Sequence, residues 1–451
     1  MTAALELGLS LPDPGSRHVR RELHRQLRDA VAAGRLAPGL QLPASRALAA
    51  DLGLSRNTVM AVYDQLLSEG LIVTRPGAGV FVAAVQAPAA PGRPQAPPVR
   101  YDLRSGLPDT ASFPFDIWGR ITGRTLRQFA RASSGYRAPA GHPALRHAIV
   151  GHLSFARALA AQPDEVVVTV GAQQAFDLIA RTLVRPGSVV AVEDPGYPAI
   201  RAAFAAAGCD VRPVPVDAEG LVVDALPPDA ALVCVTPAHA VPMGVPLSAR
   251  RRAALLDFAA RHDALILEDD YGGEFRFEGP PLEPLRAAAP DRVVYVGTFS
   301  QSLLPALRIG FVLAPPAARE ALIAARELTD WHGPAIEQGT LAAFIAEGHL
   351  ARHVRRMRKV YAQRRRVLLA ALQQHAADLL DPLPSAAGLH ITALARHPLD
   401  LTVAAGSGLA VQDLTAFAAT RDPPAGLVLG YGLIDAADID PAIRELARVQ
   451  R

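Results

Sequence analysis

Four consecutive residues, Ser55-Arg56-Asn57-Thr58, bring together side chains that can read nucleic acid. Placed at the start of a helix, an arginine can bridge the two major-groove acceptors of guanine, and an asparagine can pair with adenine. The free amides of a helix start, together with the hydroxyls of Ser55 and Thr58, suit phosphate oxygens. Arg46 opens the preceding helical stretch, and Arg75 leads into Pro76-Gly77-Ala78-Gly79, where Gly77 and Gly79 allow a close approach to a groove or backbone. Far along the chain, Gly171-Ala172-Gln173 follows the apolar run VVVTV and opens a helical pattern, so amides there can cradle a phosphate. Taken singly, each residue is equally well a cap, a turn or a surface charge. Their order along the chain is what carries information.

The bulk properties narrow the classes. A chain of 451 residues exceeds the size at which one core stops growing, so two or more domains are expected. Half the residues are hydrophobic and a fifth charged, as in ordinary globular protein. The net charge of +3, with nine Arg against seven Asp or Glu in the first 83 residues, is too small to argue for nucleic acid alone. No apolar run is long enough to span a bilayer, and Met1–Pro14 has no basic segment followed by an apolar core, so neither membrane nor secretory signal is expected. Cys209 and Cys234 are too few for a disulfide framework or a usual zinc site and read as buried filler, which fits a reducing cytoplasm; no metal site is expected. The chain holds a single lysine, Lys359.

These residues need elements to position them. Val19, Leu23, Leu27 and Val31 recur every four residues before Gly34; Ser45 is placed to cap a short helix through Leu52; Ser55 is placed to cap a third carrying Val59, Val62, Leu66 and Leu67. LIVTRPGAGVFVA then predicts a hairpin. This order is that of a winged helix-turn-helix over residues 1–83. Ala84–Arg100, with five prolines and no periodicity, predicts a semi-rigid linker reaching about 50 Å. From residue 101 to 451, valine-rich runs at 166–170, 188–193, 231–236, 264–269 and 292–297 alternate with helical stretches. That pattern predicts a mostly parallel sheet covered on both faces. The larger part is expected over about 101–340 and a smaller α+β part over about 341–451. The arginine run 364–366 is expected on a solvated helix face.

LPASRALAADLGLSRNTVMAVYDQLLSEGLIVTRPGAGVFVA resembles the winged helix of the GntR family over about Ser16 to Ala83. VTVGAQQAFDLIARTL, VEDPGYPAIRAAF, VTPAHAVPMG, LILEDDYGGEFRF and VGTFSQSLLPALRIGFVLAP resemble the aminotransferase-like domain of its MocR branch, in which a type I pyridoxal-phosphate (PLP) fold serves as effector sensor. The fold implied is multidomain, a winged helix-turn-helix joined to an α/β type I aminotransferase fold with a smaller C-terminal subdomain. The resemblance implies that Gly171, Ala172, Gln173, Ser300 and Arg308 hold phosphate, that Tyr197 stacks on the pyridine, that Asp269 pairs with its nitrogen and that Tyr271 reaches its phenolic oxygen. It further implies double-stranded DNA and a second copy of the chain as partners, and a small-molecule effector.

The chain departs from the family pattern at the centre. After Thr298-Phe299-Ser300 the family has lysine and this chain has Gln301. A carboxamide nitrogen is delocalised into its carbonyl and cannot act as the nucleophilic amine that attaches PLP or shuttles a proton. Val428 stands where the family often has an arginine for a substrate carboxylate. No catalytic residue is therefore assigned: the expectation is a regulator with a silent aminotransferase-like body and PLP bound without a covalent bond at most. An active aminotransferase carrying a DNA-binding head is the alternative.

Overall fold

The computed structural model describes residues 9, 11–12, 16, 18–83, 99–131, 135–420 and 423–451. The chain divides into two compact units, Met1–Ala96 and Pro97–Arg451. Most of the expected proline-rich linker, residues 84–98, lies outside the described residues.

In the first unit, helices Val19–Ala32, Ser45–Leu52 and Arg56–Ser68 precede an antiparallel hairpin of β1 (Ile72–Arg75) and β2 (Gly79–Val82). The aliphatic spacing does the packing: Leu23, Leu27, Leu48, Val59, Val62, Leu66, Ile72 and Val82 close one core. Residues 39–42 add a pairing that periodicity does not signal. Leu42 N donates to Val80 O and Val82 N to Leu40 O, so this stretch lies along β2 as a third, irregular strand. Ser45 proves to be the first helical residue, with Ala44 at the cap position and no side-chain cap. Ser55 does cap its helix, accepting from Thr58 N at 3.1 Å.

The second unit opens with β3 (Tyr101–Asp102) and is built on a mixed sheet of β4 (Val166–Thr169), β5 (Val189–Asp194), β6 (Asp210–Asp217), β7 (Gly220–Leu221), β8 (Ala230–Val235), β9 (Leu265–Asp270), β10 (Val293–Thr298) and β11 (Gly310–Leu313). Its order is β4-β11-β10-β9-β8-β5-β6-β7. Strands β10, β9, β8, β5 and β6 run parallel, and β11 is antiparallel to both its neighbours. Alternate residues of one strand enter different cores: Val190 and Val192 pack with Phe176 and Phe204, whereas Val189 and Ala191 pack with Leu255 and Phe258. Burial on both faces is why these strands read as continuous apolar runs.

A second sheet, β12 (Leu380–Pro382), β13 (His390–Ala395), β15 (Gln412–Asp413) and β16 (Gly426–Gly430), runs β12-β13-β16-β15 beside the long helix His349–His375 and the final helix Ala436–Gln450. A short β14 (Leu409–Ala410) pairs in parallel with β3. Residues 101–102, expected with the larger part, are thus hydrogen-bonded to the C-terminal part. Two further expectations are corrected. Arg364 is buried, donating to Asp109 at 2.8 Å, Asp435 at 2.9 Å and the Gly432 carbonyl at 2.6 Å; Arg365 is half-buried, and only Arg366 of the run 364–366 is exposed. Cys234 is buried as expected, but Cys209 is half-buried.

Candidate functional site

In the first unit, the Ser55 cap fixes the start of the helix Arg56–Ser68 and turns its first residues outward. Ser55, Arg56 and Asn57 are exposed and Thr58 half-buried, its hydroxyl 2.8 Å from Ser55 Oγ. Arg46 is exposed at the start of the preceding helix. Among the described residues neither Arg46 nor Arg56 has a hydrogen-bond or ion-pair partner, so both guanidinium groups are available to a ligand. Arg75 lies over the Phe81 ring, 4.4 Å from its centroid, in the exposed hairpin that includes Gly77, at φ +72°, and Gly79. The eight residues singled out in this unit therefore lie in the two elements expected, a helix pair and a wing.

In the second unit, the carboxyl ends of the parallel strands meet in a cavity of about 340 Å³, the place where open α/β sheets hold ligands. Ala172, Gln173, Tyr197, Asp269, Tyr271, Ser300, Gln301 and Arg308 all line it. Gly171 stands just behind, at the first turn of the helix Gly171–Thr182. A Cβ there would lie 2.8 Å from the Arg308 guanidinium, so only glycine lets that arginine close over the helix N-terminus. Arg308, at φ +50°, donates to Val170 O at 3.0 Å, and Thr298 donates to Ser300 Oγ at 3.0 Å. This end of the cavity offers donors: free helix amides, a hydroxyl and one fixed cation.

The cavity also holds carboxyl, carboxamide and phenol oxygens. Asp269 is 3% exposed and its Oδ1 is buried without a partner. Burial, with the neighbouring Asp270 and Glu193 carboxyls, pushes its pKa well above the usual carboxylate range. Asp270 itself is turned away, held by Arg157 at 2.6 Å and the Tyr295 hydroxyl at 2.5 Å. Tyr271 donates to the His239 carbonyl at 2.9 Å, leaving its oxygen as an acceptor. Gln301 is 9% exposed and its Oε1 is also buried without a partner. Asp269 needs a buried N–H donor and the arginine end needs an anion, so the residues present fit a pyridine carrying a phosphate.

Several lining residues escaped the sequence: Ser105, Gly106, Val241, His390, Gln412 and Phe417. They arrive from distant segments. Ser105 N and Oγ donate to Gln412 at 2.7 and 2.6 Å, and Gly196 N donates to Phe417 O at 3.0 Å, tying the C-terminal sheet to the DPGY turn. His390 shares the Pro242 carbonyl with Thr392, and burial pushes its pKa down to about 4. Val428 is fully buried beneath Phe417 and does not line the cavity, while Lys359 is exposed on the long helix. Among the described residues no cluster of His, Cys, Asp or Glu is placed to hold a metal ion.

Residues 20–82 match the bacterial regulatory proteins of the gntR family, and residues 123–405 match aminotransferase class I and II. The chain is 35% identical over 457 residues to the probable rhizopine catabolism regulatory protein MocR of Rhizobium meliloti, covering 95% of this chain and 93% of that one. It belongs to the MocR-type GntR regulators. A second relative of this MocR-type chain, the pyridoxine biosynthesis transcriptional regulator PdxR of Corynebacterium glutamicum, is 36% identical with 96% of each chain covered. The MocR-type body also resembles Pyrococcus horikoshii kynurenine aminotransferase, with TM-score 0.72, 29% identity, and 77% of this chain and 90% of that chain covered. DNA-binding regulation is therefore this chain's function, and the body is an aminotransferase fold used in that setting.

Proposed function

We propose that this regulator binds its operator through Arg46, Arg56, Asn57 and the wing, and senses a phosphorylated pyridine held without a covalent bond in a body that does not transaminate. The observation that carries the reading is Gln301: it lines the cavity beside Asp269, and a carboxamide supplies no nucleophilic amine. PLP, when bound, supplies an electron-withdrawing pyridinium ring. Arg308, Ser300 and the amides of Ala172 and Gln173 hold the phosphate, Tyr197 covers the ring, and Asp269 accepts from the ring nitrogen. Gln301 also supplies no amine to move the proton that transamination requires. The name of PdxR connects a relative to pyridoxine metabolism, which supports the vitamer class of ligand. Two bodies pair to place two heads on paired half-sites.

A PLP titration followed by borohydride reduction and peptide mass analysis tests this. Saturable binding with no reducible adduct in the cavity is expected, and Gln301→Lys should convert it to about one reducible adduct per chain. Turnover of amino donors by the pure protein, or a cavity adduct in the parent chain, would sink the silent reading.

A further inference from the structure

The cavity has a polarity that bears on which form of the ligand it takes, an inference that rests on the function proposed above. Among the described residues that line it, Arg308 is the one guanidinium, beside the helix start at Ala172 and Gln173. Two oxygens of the lining present lone pairs: Gln301 Oε1, buried without a partner, and Tyr271, whose proton is committed to the His239 carbonyl. Gln301 makes no hydrogen bond to any described residue, and its Oε1 lies against Gly272, where a Cβ would come within 3.2 Å. His390 adds no positive charge near neutral pH, because burial holds it deprotonated.

An aldehyde oxygen carries only lone pairs. As Gln301 and Tyr271 are oriented here, it meets their oxygens, and no lysine lines the cavity to convert it. A primary ammonium brings three donors and a positive charge into a site that has lost the cation a lysine would have supplied. We propose that the cavity selects the amine form of the ligand, pyridoxamine phosphate, over the aldehyde form, with Gln301 Oε1 and Tyr271 accepting from the amino group. Gln301 is in this view a specificity residue, and more than the scar of a lost lysine.

The test is calorimetric titration of the full-length chain with pyridoxamine phosphate and with PLP, each alone. It is made in a Lys359→Arg background, so that no lysine traps the aldehyde. Pyridoxamine phosphate should bind at least about tenfold tighter, the worth of one charge-assisted hydrogen bond in a buried site. Gln301→Leu should weaken the amine form by roughly tenfold and leave PLP unchanged. Gln301→Glu keeps an acceptor, removes the amide donor, and should preserve or widen the preference. Equal affinity for both forms, tighter PLP, or a preference that survives in Gln301→Leu overturns the proposal and leaves the bound vitamer intact. Binding of neither form overturns the vitamer reading and this proposal together.

Discussion

The DNA-reading surface and the body's cavity present opposite solutions to placing polar groups. On the head, Ser55 to Thr58 are neighbours in the chain and are held by one cap; Ser55, Arg56 and Asn57 stand in solvent. In the body, the polar groups come from segments between Ser105 and Gln412, and two of them, Asp269 and Gln301, are buried with an orphaned oxygen. Water satisfies an exposed guanidinium at little cost, whereas a buried acceptor without a donor costs about 1–3 kcal/mol. On the head, the Ser55 side chain caps the helix, while Arg56 and Asn57 stand exposed beside it. The cavity keeps its polar groups on buried side chains whose free oxygens face the cavity.

This contrast is sharpest where a buried charge is removed. Arg364→Ala leaves Asp109 unpaired against the Tyr361 helix and the Gly432 loop, and should cost the body about 3–5 kcal/mol in denaturant melts. A loss below about 1 kcal/mol would show that this network is as expendable as a surface pair. Next in size, Arg56→Ala should weaken operator binding by about 1–3 kcal/mol at fixed salt, measured by fluorescence anisotropy, with the thermal transition unmoved. If that transition falls as well, Arg56 is structural and the contrast fails. The smallest effect is a pH dependence. The folded pKa of His390 is near 4, below its ordinary value, so an unfolded chain takes up a proton as pH falls from about 6.5 while the folded body does not. Stability should drop across that window, by about 1 kcal/mol near pH 5.5 from this group, and His390→Gln should flatten the slope. A pH profile unchanged by the variant would mean the ring is not held neutral by burial.

Much of the head was legible because its determinants are local. A cap, a four-residue aliphatic spacing and a Pro-Gly turn act within one or two turns of chain, so the three helices and hairpin follow from them. The strand-like pairing of residues 39–42 was not legible, since Leu40 and Leu42 gain their partners only from β2. In the body, apolar runs announced the strands, and the order of DPGY, LILEDDY and TFSQ brought Tyr197, Asp269, Tyr271, Ser300 and Gln301 to attention before any geometry. A run of three arginines reads as solvated from its sequence, so the burial of Arg364 is not legible there. Its burial depends on Asp109, which is 255 residues away.

The sequence by itself determined the kinds of element, the presence of a winged-helix head before an α/β body, and the glutamine at position 301, all of which are properties of local pattern and residue type. Only the tertiary structure decided that β3 joins the C-terminal part, that Ser105, His390, Gln412 and Phe417 help close the cavity, and that Asp269 and Gln301 are left without partners. Those outcomes depend on which groups meet after distant segments pack, because burial and hydrogen-bond satisfaction belong to the neighbours a residue acquires in space.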